Sequence, residues 1–452
     1  MGATSGWGDD AGRGDARDDA VAIVGAALRF PGADSTRAYW ELLSRGGCAL
    51  RTFPLERLRA AGVPDALLDD PTFVPVCGSL DDVDRFPAEA FGMTAREATI
   101  TAPQQRLLLE VVHELLVLTG YEAAGAEEAI GIFAGSGMHL SSLNTYLLTR
   151  LREAIDAHDP VAALQVLIGN EADFAATRIA YRLGLTGPAV NVQTACSTSL
   201  VALHLACRAL RDGDCAAAVV AAGAVHVPHP NGYLPRKGSI MSPTGSCRAF
   251  DARADGTVGG NGVAAVLLKP LRAARADGDR VQAIVRGSAV NNDGAAKRAF
   301  AAPSADGQRA VVTRALASAG VEARTIRHVQ AHGTGTRKGD PIEVEGLTAA
   351  FRACGGADSE CYLGSVKPNI GHLDTCAGLA GLIAAMLVLE HRAVPPQINY
   401  EAPNPQLRLD EGPFRVAREL TPLAPGDGPL RASVSALGVG GTNAHVVLEA
   451  AA

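Results

Sequence analysis

Thr194-Ala195-Cys196-Ser197-Thr198-Ser199 is the stretch of this chain that decides both its fold and its chemistry. The apolar run 189–192 enters it and is typical of a buried strand, while residues 197–211 have the spacing of a helix that ends at Gly213. A cysteine at this junction lies at a helix N-terminus, where unpaired backbone N–H groups and the helix dipole favour the thiolate. The same N–H groups can hold a developing oxyanion. These features make Cys196 a candidate nucleophile.

A cysteine in this setting also has a second interpretation. Between a strand and a helix, a cysteine is more often a small buried hydrophobe, and we interpret Cys207 and Cys215 in that way. The sequence around Cys196, together with two histidine segments later in the chain, favours the nucleophile at this position.

The two histidine segments are Q-A-H-G-T-G-T (330–336), which contains His332, and K-P-N-I-G-H (367–372), which ends in His372. Each places a histidine at the C-terminal end of a predicted strand, where open α/β sheets gather their active sites. Two histidines at matching strand ends, each surrounded by Gly, Thr or Asn, indicate a shared function. A lone histidine is usually structural, and this interpretation applies to His113, His204 and His445.

Two histidines beside a thiol suit one kind of chemistry. The thiolate accepts an acyl group from a thioester. When a malonyl-type thioester then loses CO₂, negative charge builds on its thioester oxygen, and two imidazole N–H groups stabilise the enolate without supplying a strong acid to quench it. The carbon nucleophile attacks the acyl-cysteine, whose own oxygen needs a separate oxyanion hole. A protease-like Cys–His pair would need only one histidine.

Strands and helices alternate along the chain, which indicates an α/β protein with a largely buried sheet. Ordered structure is predicted to begin near Ala20, after a flexible leader over residues 1–18. A charged and locally helical stretch, 269–279, joins two series of elements. The predicted strands are 21–24, 130–134, 189–192, 217–222, 282–290, 326–331, 362–366, 431–436 and 444–449, and the predicted helices are 103–118, 197–211, 308–319, 340–351 and 376–390.

The composition is that of an ordinary globular enzyme, with 47% hydrophobic and 20% charged residues. A net charge of −7 gives no electrostatic basis for binding nucleic acid or an anionic membrane. None of the nine cysteines forms a C-x-x-C pair, which argues against zinc ribbons and redox motifs. No apolar run reaches the ~18 residues of a membrane span and no signal peptide is visible, so the cytoplasm is the predicted compartment.

Taken together, T-A-C-S-T-S (194–199), H-G-T-G-T (332–336), N-I-G-H (369–372) and G-G-T-N-A-H (440–445) resemble the β-ketoacyl synthases of the thiolase superfamily. The likeness is closest to ketosynthase domains of modular type I polyketide synthases, and it covers residues 19–450. The resemblance implies polyketide chain elongation by decarboxylative Claisen condensation, which makes the expected enzyme an acyltransferase.

The resemblance also implies a layered α/β/α/β/α fold made of two duplicated halves. The first half would span 19–268 and carry Cys196, and the second would span 269–452 and carry both histidines. The family is normally homodimeric, which would place interface strands near 189–192.

Family roles carry over to the matching positions of this chain. Cys196 would carry the acyl group, and His332 and His372 would drive decarboxylation. Lys367, paired with Glu343, would orient the histidine region. The remaining implied roles are an oxyanion hole made by the backbone N–H groups of Cys196 and Val439, and a phosphopantetheine tunnel lined by Thr334 and Thr336.

The resemblance implies no cofactor and no metal bound to the chain itself. Acyl or peptidyl carrier proteins would deliver both substrates on phosphopantetheine arms, because no acyltransferase, reductase or carrier motif follows Ala450. Neighbouring synthase domains are expected partners. The leader and the abrupt end fit a domain excised from a larger synthase.

Several positions depart from the family pattern. Gln193 stands where many relatives have Asp, and Leu437 and Val439 stand where fatty-acid synthesis relatives carry a gating Phe. Gln193 and Val439 resemble ketosynthases of hybrid assembly lines, which follow a nonribosomal peptide module and accept an aminoacyl or peptidyl chain. Asn261 and Ala102 replace acidic residues, and we expect small structural effects from them.

Other members of the superfamily fit less well. A thiolase needs a second reactive cysteine near 437–445, and a chalcone-synthase-like enzyme uses one histidine with an asparagine. Loading-type decarboxylases and chain-length-factor partners have lost the cysteine, whereas Cys196 is present. Non-elongating transacylases usually lose the histidine that is intact here as His332, and they remain the main alternative to elongation.

Overall fold

The computed structural model describes residues 20–122, 129–137, 147–295, 297–424 and 428–451. The predicted leader, 1–18, lies outside these residues. The strands are β1 (Val21–Arg29), β2 (Leu50–Thr52), β3 (Val76–Gly78), β4 (Ile130–Ser136), β5 (Ala189–Asn191), β6 (Ala217–Ala224), β7 (Gly262–Pro270), β8 (Ala283–Asn292), β9 (Ile326–Gln330), β10 (Cys361–Gly364), β11 (Ala393–Val394), β12 (Phe414–Arg415), β13 (Thr421–Pro422), β14 (Arg431–Leu437) and β15 (Thr442–Ala450).

The helices of the described residues are distributed along both halves of the chain. They are α1 (Thr36–Ser44), α2 (Leu55–Ala60), α3 (Asp65–Leu68), α4 (Ala95–Ile100), α5 (Pro103–Thr119), α6 (Thr149–Asp156), α7 (Pro160–Asn170), α8 (Ala175–Leu183), α9 (Thr198–Asp212), α10 (Leu271–Ala276), α11 (Ala305–Ala319), α12 (Gly339–Ala353), α13 (Lys367–Ile370) and α14 (Ala377–His391).

Within the described ranges, eleven strands form one mixed sheet in the order β12-β10-β9-β14-β15-β8-β1-β7-β6-β4-β5. Parallel pairs lie towards the two ends, where β4 pairs with β5 and β6, and β9 pairs with β10 and β14. The centre is antiparallel, and β1 pairs with both β7 and β8. The first strand of the chain therefore joins the two halves of the sheet.

Helices α9 and α14 lie between the two halves of the sheet. They contact each other and strands from both halves, whereas α5 and α8 pack on the outer side of one half and α11 and α12 on the outer side of the other. The predicted α/β/α/β/α layering is confirmed.

The central helix α14 contradicts the expectation that no apolar stretch of this chain is as long as a membrane span. The 18-residue window Asp374–His391 has a mean hydropathy of 1.3 and is long and apolar enough to cross a membrane, and 83% of it is buried inside the fold. A helix enclosed on all sides by strands and helices becomes apolar all round. The core position of α14 therefore accounts for its apolar sequence.

Most predicted elements are present within one to three residues of their predicted bounds, but two differences stand out. Strand β1 continues through Gly25 to Arg29, and the glycine is needed there because a Cβ would lie 2.2 Å from the Thr119 side chain. This glycine permits close packing of α5 and does not end the strand. Strand β7, in the middle of the sheet, was not predicted at all.

We expect Phe351→Ala to lower the free energy of unfolding by about 3–5 kcal/mol, because it empties a fully enclosed site. Phe351 is 0% exposed and its ring centroid lies 4.8 Å from that of Phe414. Urea denaturation measures the change. Leu118→Ala is the matched control, since Leu118 is 66% exposed on α5 and should change stability by less than about 0.5 kcal/mol. Equal losses in both variants would contradict this account of the core.

Candidate active site

The nucleophile segment makes a sharp turn between β5 and α9, as the sequence predicts. Ala195 has a φ of 54°, in the left-handed region that residues with a side chain rarely adopt. The Ser197 hydroxyl donates to the Thr194 carbonyl at 2.8 Å, and the Thr194 N–H donates to the Thr198 hydroxyl oxygen at 2.8 Å. These bonds stabilise the turn and leave Cys196 only 7% exposed.

The glycine loop between β14 and β15 packs directly on this turn. A Cβ at Gly438 would lie 2.2 Å from the Thr194 carbonyl oxygen and 2.7 Å from the Ser197 hydroxyl. The next residue, Val439, directs its backbone N–H at the Cys196 sulfur. The backbone N–H of Val439, predicted to form half of the oxyanion hole, therefore lies beside the nucleophile.

Both histidines lie next to the thiol, although they come from different loops of the second half. The sulfur of Cys196 and a ring nitrogen of each histidine all lie within 4.8 Å of one another. The rings of His332 and His372 meet edge to face, with centroids 5.5 Å apart. All three side chains are less than a tenth exposed, so the structure brings the three predicted catalytic residues into one buried cluster.

Backbone N–H groups determine which ring nitrogen carries the proton. The Asp374 N–H donates to His372 Nδ1 at 3.0 Å, and the Leu437 N–H donates to His332 Nδ1 at 3.4 Å. An N–H group can only donate, so Nδ1 is the acceptor in each ring and the proton of the neutral imidazole is on Nε2. Each histidine thus offers an Nε2–H donor to the site.

Lys367 and Glu343 hold the main chain of His332 from opposite sides. The Lys367 ammonium donates to the His332 carbonyl. The Glu343 carboxylate accepts from the backbone N–H groups of His332, at 2.6 Å, and Gly333, at 2.8 Å. Among the described residues these two charges do not form a direct ion pair within 4.0 Å, which corrects the direct pairing that the family resemblance implied. They interact through the backbone between them.

Asp340 is a structural residue of the site to which the sequence analysis gave no role. Its buried carboxylate accepts from the N–H groups of Phe250, at 2.8 Å, and Gly335, at 3.0 Å. Burial raises the pKa of Asp340 to about 7. The only signal in the sequence was an acidic residue in the turn G-D-P (339–341), which is common in loops without such a role.

Burial also sets the protonation of the histidine cluster. It lowers the pKa of His332 well below its ordinary value, and the electrostatic effects of the Lys367 ammonium and of His372 act in the same direction. His332 is therefore neutral at physiological pH and acts as a hydrogen-bond donor, not as an acid.

The resting state of Cys196 differs from the sequence-based expectation of a thiolate. Burial raises the pKa of the Cys196 thiol to about 12, and the negative charge of Asp374 adds to this effect. Lys367 and the backbone N–H groups of Val439 and Cys196 act in the opposite direction but do not outweigh it. The helix N-terminus is present, yet loss of solvation dominates.

Cys196 and the two histidines open into a cavity of about 420 Å³. Thr334 and Thr336 line it, with their hydroxyl oxygens 3.2 Å apart. The exposed side chains of Arg337 and Lys338 lie at the same wall. The predicted tunnel residues thus lie between the buried cluster and a cationic rim.

The structure shows the surroundings of three residues that depart from the family pattern. Gln193 donates through its side-chain amide to the Ser136 carbonyl at 2.8 Å, and so holds the end of β4. Val439 is 54% exposed in the cavity wall. Asn261 is fully buried and bridges the His226 N–H and the Gly78 carbonyl, a pair of bonds that an ionised Asp cannot make.

A thiol and two imidazoles at this spacing are also ligands that a soft metal ion such as Zn²⁺ accepts. Metal binding requires the thiolate.

The fold and the buried cluster define a thiolase-like condensing enzyme. Three family profiles match the chain in series: "Beta-ketoacyl synthase, N-terminal domain" over residues 18–274, "Beta-ketoacyl synthase, C-terminal domain" over 282–401, and "Ketoacyl-synthetase C-terminal extension" over 403–452. The chain therefore belongs to the β-ketoacyl synthase family.

Similarity to curated proteins indicates which kind of β-ketoacyl synthase this chain resembles. The chain is 46% identical over 444 residues to one of the phenolphthiocerol/phthiocerol polyketide synthase proteins of Mycobacterium tuberculosis, a match that covers 96% of this chain and 29% of that protein. It is 39% identical over 432 residues to polyketide synthase PksN of Bacillus subtilis, covering 96% of this chain and 8% of that protein. The chain thus spans less than a third of the length of these relatives.

A solved structure agrees in both fold and sequence. Ketosynthase twelve of the bacillaene polyketide synthase of Bacillus amyloliquefaciens superposes with a TM-score of 0.88 at 37% identity, over 96% of this chain and 76% of that chain. The chain is therefore similar, over nearly its whole length, to ketosynthase domains of polyketide synthases.

We expect Gly438→Ala to slow acylation of Cys196 by about 10²-fold, the typical effect of losing one oxyanion-hole donor. The new Cβ would meet the Thr194 carbonyl and displace the loop that positions the Val439 N–H. Single-turnover acylation with a radiolabelled acyl thioester measures the rate. Gly428→Ala is the matched control, because a Cβ at Gly428 meets nothing within 4 Å. An unchanged rate in Gly438→Ala would contradict the role of this loop.

Proposed function

We propose that this chain transfers an acyl group from a carrier protein to Cys196 and joins it to a malonyl-type extender on a second carrier. In the first step, the thiolate of Cys196 attacks the thioester carbon, and the carbon–sulfur bond to the pantetheine arm breaks. The freed arm takes up a proton and leaves as a thiol. The backbone N–H groups of Cys196 and Val439 stabilise the oxyanion.

In the second step the extender loses CO₂. The electron pair of the broken carbon–carbon bond moves into an enolate, whose oxygen accepts hydrogen bonds from His332 and His372. The enolate carbon attacks the acyl-cysteine, the bond to Cys196 breaks, and a β-ketoacyl thioester leaves on the carrier. Cys196 returns as a thiolate and is reprotonated.

One observation carries this division of labour: both rings accept a backbone N–H at Nδ1, which leaves two Nε2–H donors beside the thiol. Two neutral donors stabilise an enolate oxygen without protonating its carbon. Loss of charge on His332 in its buried site supports the same role. A non-elongating transacylase needs no such pair.

Carrier-bound substrates would account for the residues that line the cavity. Thr334 and Thr336 would bind the pantetheine arm through their hydroxyl groups. Arg337 and Lys338, exposed beside them, would attract the phosphate at the end of the arm. We assign no cofactor and no metal to the chain itself, and its partners would be acyl or peptidyl carrier proteins together with neighbouring synthase domains.

We propose two halves, 19–268 and 269–452, that share the site. The short helix α10 joins the last strand of the first half to β8 of the second. Cys196 follows β5 of the first half, and both histidines follow strands of the second. Each half also supplies one of the two central helices, α9 and α14, which pack against each other.

We also propose a homodimer formed through β5. This strand is the last in the sheet order and pairs with β4 on one side only among the described residues. An open strand edge is a ready partner for the same strand of a second copy. The nine free cysteines fit the reducing cytoplasm that we propose as the compartment.

Three substitutions test the division of labour. Cys196→Ala should abolish acylation, because no other group accepts the acyl chain. His332→Ala and His372→Ala should spare acylation and stop condensation, each by at least about 10²-fold. Mass spectrometry of the protein measures acylation, and release of ¹⁴CO₂ from a malonyl-carrier substrate measures condensation.

Cys207→Ala is the matched control for the nucleophile. Cys207 lies on α9, the helix that follows the nucleophile turn, and is fully buried, and its thiol pKa is likewise raised to about 12 by burial, so high pKa alone does not separate the two cysteines. This variant should still be acylated. If both histidine variants also lost acylation, the proposed roles would be wrong.

Gln193 and Val439 support the hypothesis of an aminoacyl or peptidyl substrate from a hybrid assembly line, because a half-exposed Val in place of a gating aromatic ring loosens entry to the acyl pocket. We expect glycyl and peptidyl carrier thioesters to load Cys196 at least about tenfold faster than acetyl or butyryl thioesters. A panel of carrier-bound chains, read by mass spectrometry of Cys196, measures this preference. Efficient loading by the simple acyl chains alone would refute the hypothesis while leaving condensation intact.

A further inference from the structure

Acylation of Cys196, the first step of the proposed function, needs an acceptor for the thiol proton. The pKa of about 12 means that almost no thiolate is present at pH 7. A weakly acidic buried thiol reacts slowly unless a base removes its proton as the new bond forms.

The two histidines are poorly arranged for this task. In each ring Nδ1 already accepts a backbone N–H, from Leu437 for His332 and from Asp374 for His372. The other nitrogen, Nε2, carries a proton and can only donate. The arrangement that makes these rings good donors to an enolate therefore prevents them from accepting the thiol proton.

Asp374 is placed to accept it. The Cys196 sulfur donates a hydrogen bond to Asp374 Oδ1, at a distance of 3.9 Å. Asp374 lies two residues after His372 and holds a φ of 47°, in the left-handed region, at the start of the short turn Asp374–Cys376 that precedes α14. The fold thus holds one residue in a rare backbone conformation where its N–H positions a histidine and its carboxylate faces the nucleophile.

We propose that Asp374 is a further catalytic residue, the general base for acylation of Cys196. As the sulfur–carbon bond forms, the thiol proton moves to Oδ1, which neutralises the carboxylate. When the bond to the pantetheine arm breaks, Asp374 gives the same proton to the leaving thiolate and regains its charge. No proton is gained or lost over the step, and no other reactant is required.

The proton transfer is uphill because the thiol is the weaker acid, and burial of Asp374 lowers its cost. While Asp374 is charged it destabilises a thiolate at Cys196, and burial raises the pKa of Asp374 to about 6, closer to that of the thiol than a free carboxyl would be. Because the proton moves to Asp374 as the thiolate forms, the two groups never carry a negative charge at the same time, and the thiolate avoids the repulsion of a charged Asp374. Lys367 stabilises the thiolate.

Replacing Asp374 distinguishes a base from a mere neighbouring charge, because the two predict opposite changes. If the carboxylate acts only by repelling the thiolate, Asp374→Asn lowers the thiol pKa and speeds acylation. If Asp374 is the base, Asp374→Asn slows acylation by about 10²-fold or more, and Asp374→Glu restores part of the rate.

The experiment measures single-turnover acylation by the acetyl thioester of N-acetylcysteamine from pH 7 to 9 in wild type, Asp374→Asn and Asp374→Glu. Hydroxide must replace the lost base in Asp374→Asn, so its rate should rise by about tenfold per pH unit, more steeply than in wild type. Lys367, His332 and His372, the other titratable groups that face the thiol, are unchanged. Thermal melting checks that each variant is folded.

Asp410→Asn, which removes an exposed carboxylate elsewhere, is the matched control and should be acylated like wild type. Acylation of Asp374→Asn at the wild-type rate or faster, in protein that melts normally, would overturn the role of Asp374 alone. If the wild type itself took up no acyl group, the proposed function would fail as well.

Discussion

The main chain of His332 is held on both sides of its Cα, by the Lys367 ammonium on its carbonyl and by the Glu343 carboxylate on its N–H. The rest of the site depends on this clamp. The clamp fixes the position of the His332 backbone, and the Leu437 N–H then holds the ring by donating to Nδ1. That same loop, just beyond Leu437, carries the Val439 N–H to the nucleophile, so one pair of buried charges orients both the proton donor and the oxyanion hole.

Burial favours the neutral form of both His332 and Cys196, and this has opposite consequences for the two steps of the reaction. It removes charge from His332, which turns a potential acid into a neutral donor, and it holds Cys196 as a thiol. The first effect suits an enolate, which a strong acid would quench. The second creates a need for a base, and the carboxylate of Asp374 lies where that need arises. Burial of the cluster thus favours the carbon–carbon bond-forming step, while acylation requires a dedicated partner for the thiol.

Much of the fold could be predicted from periodicity, as α5 and α9 illustrate: each has apolar residues at helical spacing and ends at a glycine in the left-handed region. The elements that could not be predicted have local sequences that are also compatible with other structures. Gly25 looked like a strand end and is a packing contact with Thr119, and β7 follows a glycine-rich segment that suggests a loop. Such contacts join residues far apart in the chain, so no local pattern records them.

The sequence by itself determined the identity of the reacting groups, since Cys196, His332 and His372 each stand in a motif of glycines and small polar residues at a strand end. It also determined the family and the class of reaction. Only the tertiary structure decided the protonation of these groups, namely the thiol state of Cys196 and the Nε2–H form of both rings. It also decided the contacts of the supporting residues: Lys367 and Glu343 both bind the backbone of His332, and Asp374 lies beside the thiol. The physical reason is that protonation depends on solvation and on charges brought together by folding, neither of which is a property of a residue and its neighbours in the chain.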